Sequence, residues 1–297
     1  MSDISTLISY LNSSGGIPLK ITSTVATSSG QFLLNTGVTL LGSLFVVYIF
    51  FGMFKEQIFT SMIKLKLRRI AIRTGRNVLL IKHTRQDLFN MSMIDQNTLM
   101  KVSKAMQEFG GKPFDLFIHS PGGDVFASFF ISRLFKEYPG QIRTFVPIYS
   151  MSGGTILALS GDEIYMNSTS CLGPVDPQLG NLFKFGSAKQ WDYIMKKKGT
   201  KAEDSTFSMA LMGRQYTKSI ANHVDDLLDG KMSQKNKGNF VRFLTSGEVE
   251  HAYNLTANQL IKLGLKINNI PEDINRFITK LIISKSGEGV SFFKIKN

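Results

Sequence analysis

Two rhythms of apolar residues divide the chain. Beyond residue 76, short apolar runs suited to strands alternate with longer stretches whose apolar positions return every three or four residues, as on one face of a helix. The pattern predicts strands over Asn77–Lys82, Phe114–His119, Arg143–Ile148 and Glu163–Met166. Between them it predicts helices over Thr98–Glu108, with Leu99, Val102, Ala105, Met106 and Phe109 along one side, over Val125–Lys136, and over Thr155–Leu159. Such alternation implies an α/β fold with helices packed on a sheet. Asn181 to Lys201 turns polar and basic and reads as an exposed, partly helical connection. A long amphipathic helix follows from Asp204 to Leu228, capped by Asp204 or Ser205 and stopped at Gly230, with Leu211, Ile220, Val224, Leu227 and Leu228 facing a core. Phe243-Leu244-Thr245 and a helix over Ala257–Lys262, ended by Gly264, complete the domain; residues 271–297 read as a tail.

A different pattern precedes all of this. No charged residue stands between Lys20 and Lys55, and 32–54 reads FLLNTGVTLLGSLFVVYIFFGMF. Twenty-three helical residues extend about 34 Å, enough to cross a hydrocarbon layer of about 30 Å. A transmembrane helix is expected over 32–54. A cleaved leader fits poorly, because the run starts late and has no basic region immediately before it. Nine basic residues and one acid, Glu56, occupy Lys55 to Arg85, against Lys20 alone before the span. The positive-inside rule therefore puts residues 1–31 outside the cell membrane of a single-pass protein and its C-terminal part in the cytoplasm. Residues 55–76 form a basic juxtamembrane linker; within it Phe59–Ile72 reads as a membrane-surface helix, a continuation of the span or a first strand.

Composition narrows the chemistry. Much of the formal charge of +13 is concentrated in that linker, without aromatic interleaving or a recognition-helix pattern, so a nucleic-acid partner is not expected. One cysteine, Cys171, excludes an internal disulfide. His83, His119, His223 and His251 are scattered without metal-ligand spacing; no metal and no cofactor are expected.

The informative residues are two glycine pairs about thirty positions apart. Ser120-Pro121-Gly122-Gly123-Asp124 and Ser150-Met151-Ser152-Gly153-Gly154-Thr155 each follow a strand pattern and precede a helical one. Residues without Cβ let backbone N–H groups approach a substrate carbonyl, and donors so placed stabilise the charge that develops in acyl transfer. Ser152 stands at the mouth of a helix, where the dipole also favours negative charge. Taken singly, either pair is an ordinary tight turn; the two in this order, with a serine in the second, point to nucleophilic chemistry. Position 150 is serine, so the G-x-S-x-G elbow of α/β-hydrolases is absent.

With these residues placed, the chain resembles the Clp-protease/crotonase superfamily, and within it the membrane-anchored serine peptidases of the serine dehydrogenase proteinase family, relatives of signal peptide peptidase A. The likeness runs from about Leu79 to Ile267 and rests on four segments in order: His119–Gly123, Ser152–Thr155, Leu172-Gly173-Pro174-Val175-Asp176-Pro177-Gln178, and Leu244-Thr245-Ser246-Gly247 with Leu263-Gly264-Leu265. It implies a Clp/crotonase-like domain of stacked β-β-α units over 77–270, a Ser152 nucleophile, an oxyanion hole from Gly122 or Gly123 with Gly153, a peptide or membrane-protein substrate, and a homo-oligomer beside membrane lipid. Clp-type peptidases carry a histidine where this chain reads Cys171-Leu172-Gly173-Pro174, whereas signal peptide peptidase A-like enzymes use a lysine base. Lys218, within the long helix, is the candidate for that lysine; Lys197, Lys198 and His251 are the alternatives. His119 is expected to shape the hole, Asp176 and Gln178 to brace their loop, and Asp124 to cap a helix. The rival readings are a non-catalytic membrane scaffold with the same fold and a crotonase-type acyl-CoA enzyme using Asp124 or Asp162.

Overall fold

The computed structural model describes residues 40–49, 61–84, 86–87, 90–180, 184–284 and 288–295. The expected span at 32–54 lies mostly outside the described residues; its middle, 40–49, is helical (α1) and exposes every side chain. Among the described residues no helix is long and apolar enough to cross a membrane. The chain divides into units Met1–Ile58 and Phe59–Asn297, and all remaining elements belong to the second.

That unit begins with α2 (61–74). Ile63, Leu67, Ile70 and Ala71 are buried at helical spacing, while Lys64, Arg68 and Arg69 face solvent. The segment is a helix and not a strand; its buried stripe joins the protein's own core, while Met62, Leu65 and Ile72 remain exposed. Then come β1 (Asn77–Lys82), a short hairpin β2–β3 (Gln86–Asp87, Asn90–Met91), α3 (Gln96–Phe109), β4 (Phe114–His119) and α4 (Val125–Lys136). They are followed by β5 (Ile142–Val146), β6 (Tyr149–Ser150), α5 (Gly153–Ser160), β7 (Glu163–Met166) and β8 (Cys171–Leu172). The expected polar connection holds β10 (Phe185–Ser187), which pairs with β9 (Gln178–Gly180) just ahead of it, and a capped helix, α6 (Ala188–Lys198). After α7 (Asp204–Leu227) come α8 (Gln234–Thr245), β11 (Leu255–Thr256), α9 (Ala257–Lys262), β12 (Asn268–Asn269), α10 (Glu272–Ile283) and β13 (Gly289–Phe293).

Six strands form the main sheet in the order β12-β7-β5-β4-β1-β13, parallel except for β13, which runs antiparallel along β1. Successive side chains of a strand leave opposite faces of a sheet. Accordingly Leu79, Ile81, Leu116 and Ile118 join one core with α3, α4, α5 and α7, while Val78, Leu80, Phe117 and Phe145 join a second with α2 and α10. A sheet covered on both sides explains why β1 and β4 are buried at every position. Residues 271–297 are therefore no mere tail: α10 closes one face and β13 pairs an edge. A small second sheet, β11-β8-β6, lies beyond the ends of β4 and β5 in sequence and carries the serine turn on β6.

Inside the sheet, Asp115 is fully buried and holds two guanidinium groups. Arg143 reaches it with Nε and Nη2, each at 2.8 Å, and Arg76 Nε lies 2.9 Å away. Burial lowers the Arg76 pKa, while the bond to Asp115 raises that of Arg143. Removing one member of such a cluster strands the others in a low-dielectric setting. Asp115→Ala is expected to lower unfolding free energy by about 3–5 kcal/mol, read from the denaturant midpoint; a loss below about 1 kcal/mol would mean the cluster behaves as a surface pair.

Candidate active site

Parallel pairing of β4 with β5 is extended by a bridge between Ser120 and Ser150, which sets the two glycine turns side by side. Met151 N donates to the Ser120 carbonyl at 2.9 Å, tying the second turn to the first. Ser152 then adopts φ 50°, ψ −122°, the one positive φ of a non-glycine residue among those described. Such a conformation costs about 1–3 kcal/mol and persists only where the surroundings over-determine it. Here they do. Gly154 N donates to the Met151 carbonyl and Thr155 N to the Ser152 carbonyl, both at 2.8 Å. Thr155 Oγ1 sits 2.8 Å from the Ser150 carbonyl oxygen and 2.9 Å from that of Gly173, and accepts the Gly173 amide at 3.1 Å. Ser152 is half-buried, caps nothing, and its hydroxyl has no hydrogen-bond partner among the described residues.

Glycine is required on both sides of this serine. A Cβ on Gly122 (φ 111°) would lie 2.8 Å from Ser152 Cβ, one on Gly123 (φ 151°) would overlap the Ile94 backbone, and one on Gly153 would overlap Ser128 Oγ. The amides divide into committed and available. Gly122 N–H donates to Ser120 Oγ at 3.1 Å and Asp124 N–H to the Ile94 carbonyl at 2.8 Å. Gly123 and Gly153 N–H have no partner among the described residues, and the two are neighbours: the missing Gly153 Cβ would stand 3.6 Å from Gly123 N. Of the expected donors Gly122, Gly123 and Gly153, the last two are thus available to a ligand.

Lys218 does not lie on the buried face the sequence suggested. It is exposed on α7, whose buried positions are Thr206, Ala210, Gly213, Ile220, Val224 and Leu227, and Leu211 is exposed as well. Lys197 and Lys198 are also exposed, at the end of α6. By contrast, His251 Nδ1 lies 2.7 Å from Oδ1 of Asp176, a carboxylate 3% exposed that also accepts Gln178 Nε2 at 2.7 Å. The Asp176 loop is fastened to the serine helix through Gly173 and Thr155, and to α8 by Val175 N donating to the Leu244 carbonyl at 2.8 Å. Gly247 (φ 67°) passes directly over Asp176 and brings the His251 segment back to it. His251 and Asp176 line one wall of an open groove of about 900 Å³, whose apolar lining includes Phe185, Trp191 and Ile194. The sequence offered these segments separately; nothing in their spacing showed a bond across 75 positions.

The remaining candidates have structural duties. Asp124 caps α4 by accepting Ala127 N at 2.7 Å, and Asp162 accepts Ile142 N at 2.7 Å. His119 is buried with its ring 4.1 Å from that of Tyr149. Among the described residues no group of three His, Cys, Asp or Glu side chains is placed to hold a metal ion.

These features define a ClpP-like α/β domain with a serine on a strained strand-to-helix turn facing unpaired amides. Residues 33–284 match the family of ClpP-like SDH-type serine proteinases, and the chain belongs to that family. Two uncharacterized proteins of Methanocaldococcus jannaschii are 37% and 36% identical to it over 164 and 163 residues, 55% and 54% of this chain and 56% and 54% of theirs. The chain thus spans about half the length of the curated relatives it matches. Among solved structures, a mutant of the 1510-N membrane-bound stomatin-specific protease superposes with a TM-score of 0.44 at 16% identity, over 63% of this chain and 79% of its own. ClpP1 from Listeria monocytogenes does so with a TM-score of 0.43 at 15% identity, over 70% and 99%.

Two buried imidazoles near the turn set a pH dependence. Desolvation pushes the pKa values of His83 and His119 down from 6.5 to about 4, with Glu288 pulling both the other way and Lys82 adding to the fall at His119. The unfolded chain takes up these protons below about pH 6.5 and the folded chain only near 4, so the stabilisation is complete above pH 6.5 and is lost on acidification toward pH 4. Each imidazole contributes up to about 3 kcal/mol. Urea midpoints are expected to fall steadily from pH 7 to 4.5, less steeply in His119→Phe; a midpoint rising on acidification contradicts this.

Proposed function

We propose that this chain is a membrane-anchored serine peptidase that cleaves peptide bonds through an acyl-enzyme on Ser152. The observation that carries the reading is the strained serine standing beside two adjacent amides that have no partner among the described residues. Asp176 holds the proton of His251 on Nδ1, which leaves the Nε2 lone pair to take the Ser152 proton as Oγ attacks the carbonyl carbon. Gly123 and Gly153 N–H groups receive the oxyanion. As the C–N bond breaks, Nε2 returns the proton to the departing amine, and water repeats the sequence to release the acyl group. No contact joins Ser152 to His251, and the groove that His251 lines does not include Ser152, so the reading requires substrate binding to bring the imidazole within reach of the hydroxyl. A histidine base replaces the Lys218 dyad because only the imidazole has a buried orienting partner. The acyl-CoA alternative loses its carboxylates, since Asp124 and Asp162 are engaged by backbone amides.

Membrane attachment through 32–54 is part of the same proposal, supported by the uncharged 23-residue run and by the exposed apolar side chains of α1. A homo-oligomer acting on extended segments of membrane proteins fits the family resemblance.

Two measurements test this. Ser152→Ala is expected to abolish fluorophosphonate labelling and peptide turnover, His251→Ala to lower kcat/KM about a hundredfold or more, and Lys218→Ala to stay within about twofold of wild type. Loss of activity in Lys218→Ala with His251→Ala unaffected would restore the lysine base, and absence of any labelling in well-folded protein would favour the scaffold. For the anchor, the full chain is expected to remain in the membrane pellet after alkaline carbonate extraction; quantitative release contradicts it.

A further inference from the structure

The Gly123 amide belongs to the peptide unit that also carries the Gly122 carbonyl. In a trans peptide these two groups point to opposite sides, so whatever pins the Gly122 oxygen aims the Gly123 N–H. Two donors surround that oxygen: Ile94 N at 2.9 Å and Ser120 Oγ at 3.3 Å. Ser120 Oγ has a single hydrogen and also accepts the Gly122 N–H at 3.1 Å, while His83 Nδ1 lies 3.0 Å away. In the His83 tautomer that carries its hydrogen on Nδ1, one arrangement uses all of these contacts. His83 donates from Nδ1 to Ser120, Ser120 accepts that bond and the Gly122 amide, and its own hydrogen goes to the Gly122 carbonyl. His83 and Ser120 are 2% and 0% exposed, so no bulk water substitutes for a missing partner.

We propose that His83 is a positioning residue that acts through Ser120 to aim the Gly123 amide at the developing oxyanion. The inference rests on Ser152 being the nucleophile. His83 is itself set by the end of β1, where Thr84 N donates to Glu288 Oε2 at 2.8 Å and Lys82 Nζ lies 3.9 Å from Glu288 Oε1. Asp95 and Lys101 stand on the α3 side of the same small cleft. The final strand thereby braces the turn from across the sheet.

Asparagine offers an N–H near the position of Nδ1, and leucine offers none. With the purified full chain, His83→Leu and Ser120→Ala are expected to lower kcat about tenfold to a hundredfold, leave KM within about threefold, and weaken a peptidyl boronate inhibitor by the same factor as kcat. His83→Asn is expected to recover most of both. A merely structural role would lower apparent kcat only in proportion to the fraction folded and leave the boronate affinity of the folded molecules unchanged. Equal kcat and boronate affinity in wild type and folded His83→Leu, or His83→Asn as impaired as His83→Leu, overturns the proposal. A wild-type protein that hydrolyses nothing would instead count against Ser152 catalysis, and amide hydrogen exchange then decides on His83. The Gly122 N–H is expected to exchange at least about tenfold faster in His83→Leu and Ser120→Ala than in wild type or His83→Asn; unchanged exchange also overturns it.

Discussion

Everything at the site depends on the parallel pairing of β4 and β5 and its continuation through Ser120 and Ser150. Parallel neighbours end on the same side of a sheet, and the loops leaving them meet at that edge. Here both loops contain glycine pairs, and one backbone bond, Met151 N to the Ser120 carbonyl, locks them in register. A serine with φ 50° is tolerable only under that restraint. The cost of the conformation is offset by the surrounding buried hydrogen bonds, and what it achieves is a hydroxyl held apart from its own helix, with the Gly123 and Gly153 amides beside it.

Polar groups around the turn are arranged in layers. Nearest are the free amides; behind them Ser120 ties both ends of Gly122; farther back His83, Lys82 and Glu288 join β1 to the approach to β13. On the opposite flank, Thr155 joins the serine helix to the loop that holds Asp176. In a low-dielectric interior such chains of donors and acceptors are strong when complete and costly when broken. Their placement couples two distant stretches of sequence, residues 77–84 and 288–293, to the geometry of the turn.

Much of this was legible from residues alone, where local rules dominate. β4, α4, β7 and α9 fall where apolar spacing put them: α4 and α9 each bury one face behind a capping residue, β7 alternates, and β4 is a short run buried on both faces between Pro113 and the Ser120 turn. The glycine pairs identified the turn because the close approach of Gly122 to Ser152 leaves no room for Cβ. What escaped was tertiary. Residues 59–72 stood open between a membrane-surface helix, a continuation of the span and a first strand; the packing of Ile63, Leu67 and Ile70 against the sheet makes α2 a helix of the domain. The helical part of the polar connection was expected, but not that α6 docks through Trp191, whose Nε1 donates to the Leu179 carbonyl. Lys218 sits near Ile220 in sequence, but helical rotation turns it outward, and the Asp176–His251 bond joins segments that no spacing rule links.

The central claim is that the amides of Gly123 and Gly153, and not that of Gly122, face the oxygen of the carbonyl attacked by Ser152. A crystal structure of the protein reacted with a peptidyl boronic acid tests it most directly. The account predicts a covalent bond from Ser152 Oγ to boron, with one boronate oxygen about 3 Å from both Gly123 N and Gly153 N and the Gly122 amide still bound to Ser120. A boronate attached elsewhere, or an oxygen bound to a Gly122 amide that has left Ser120, would contradict it.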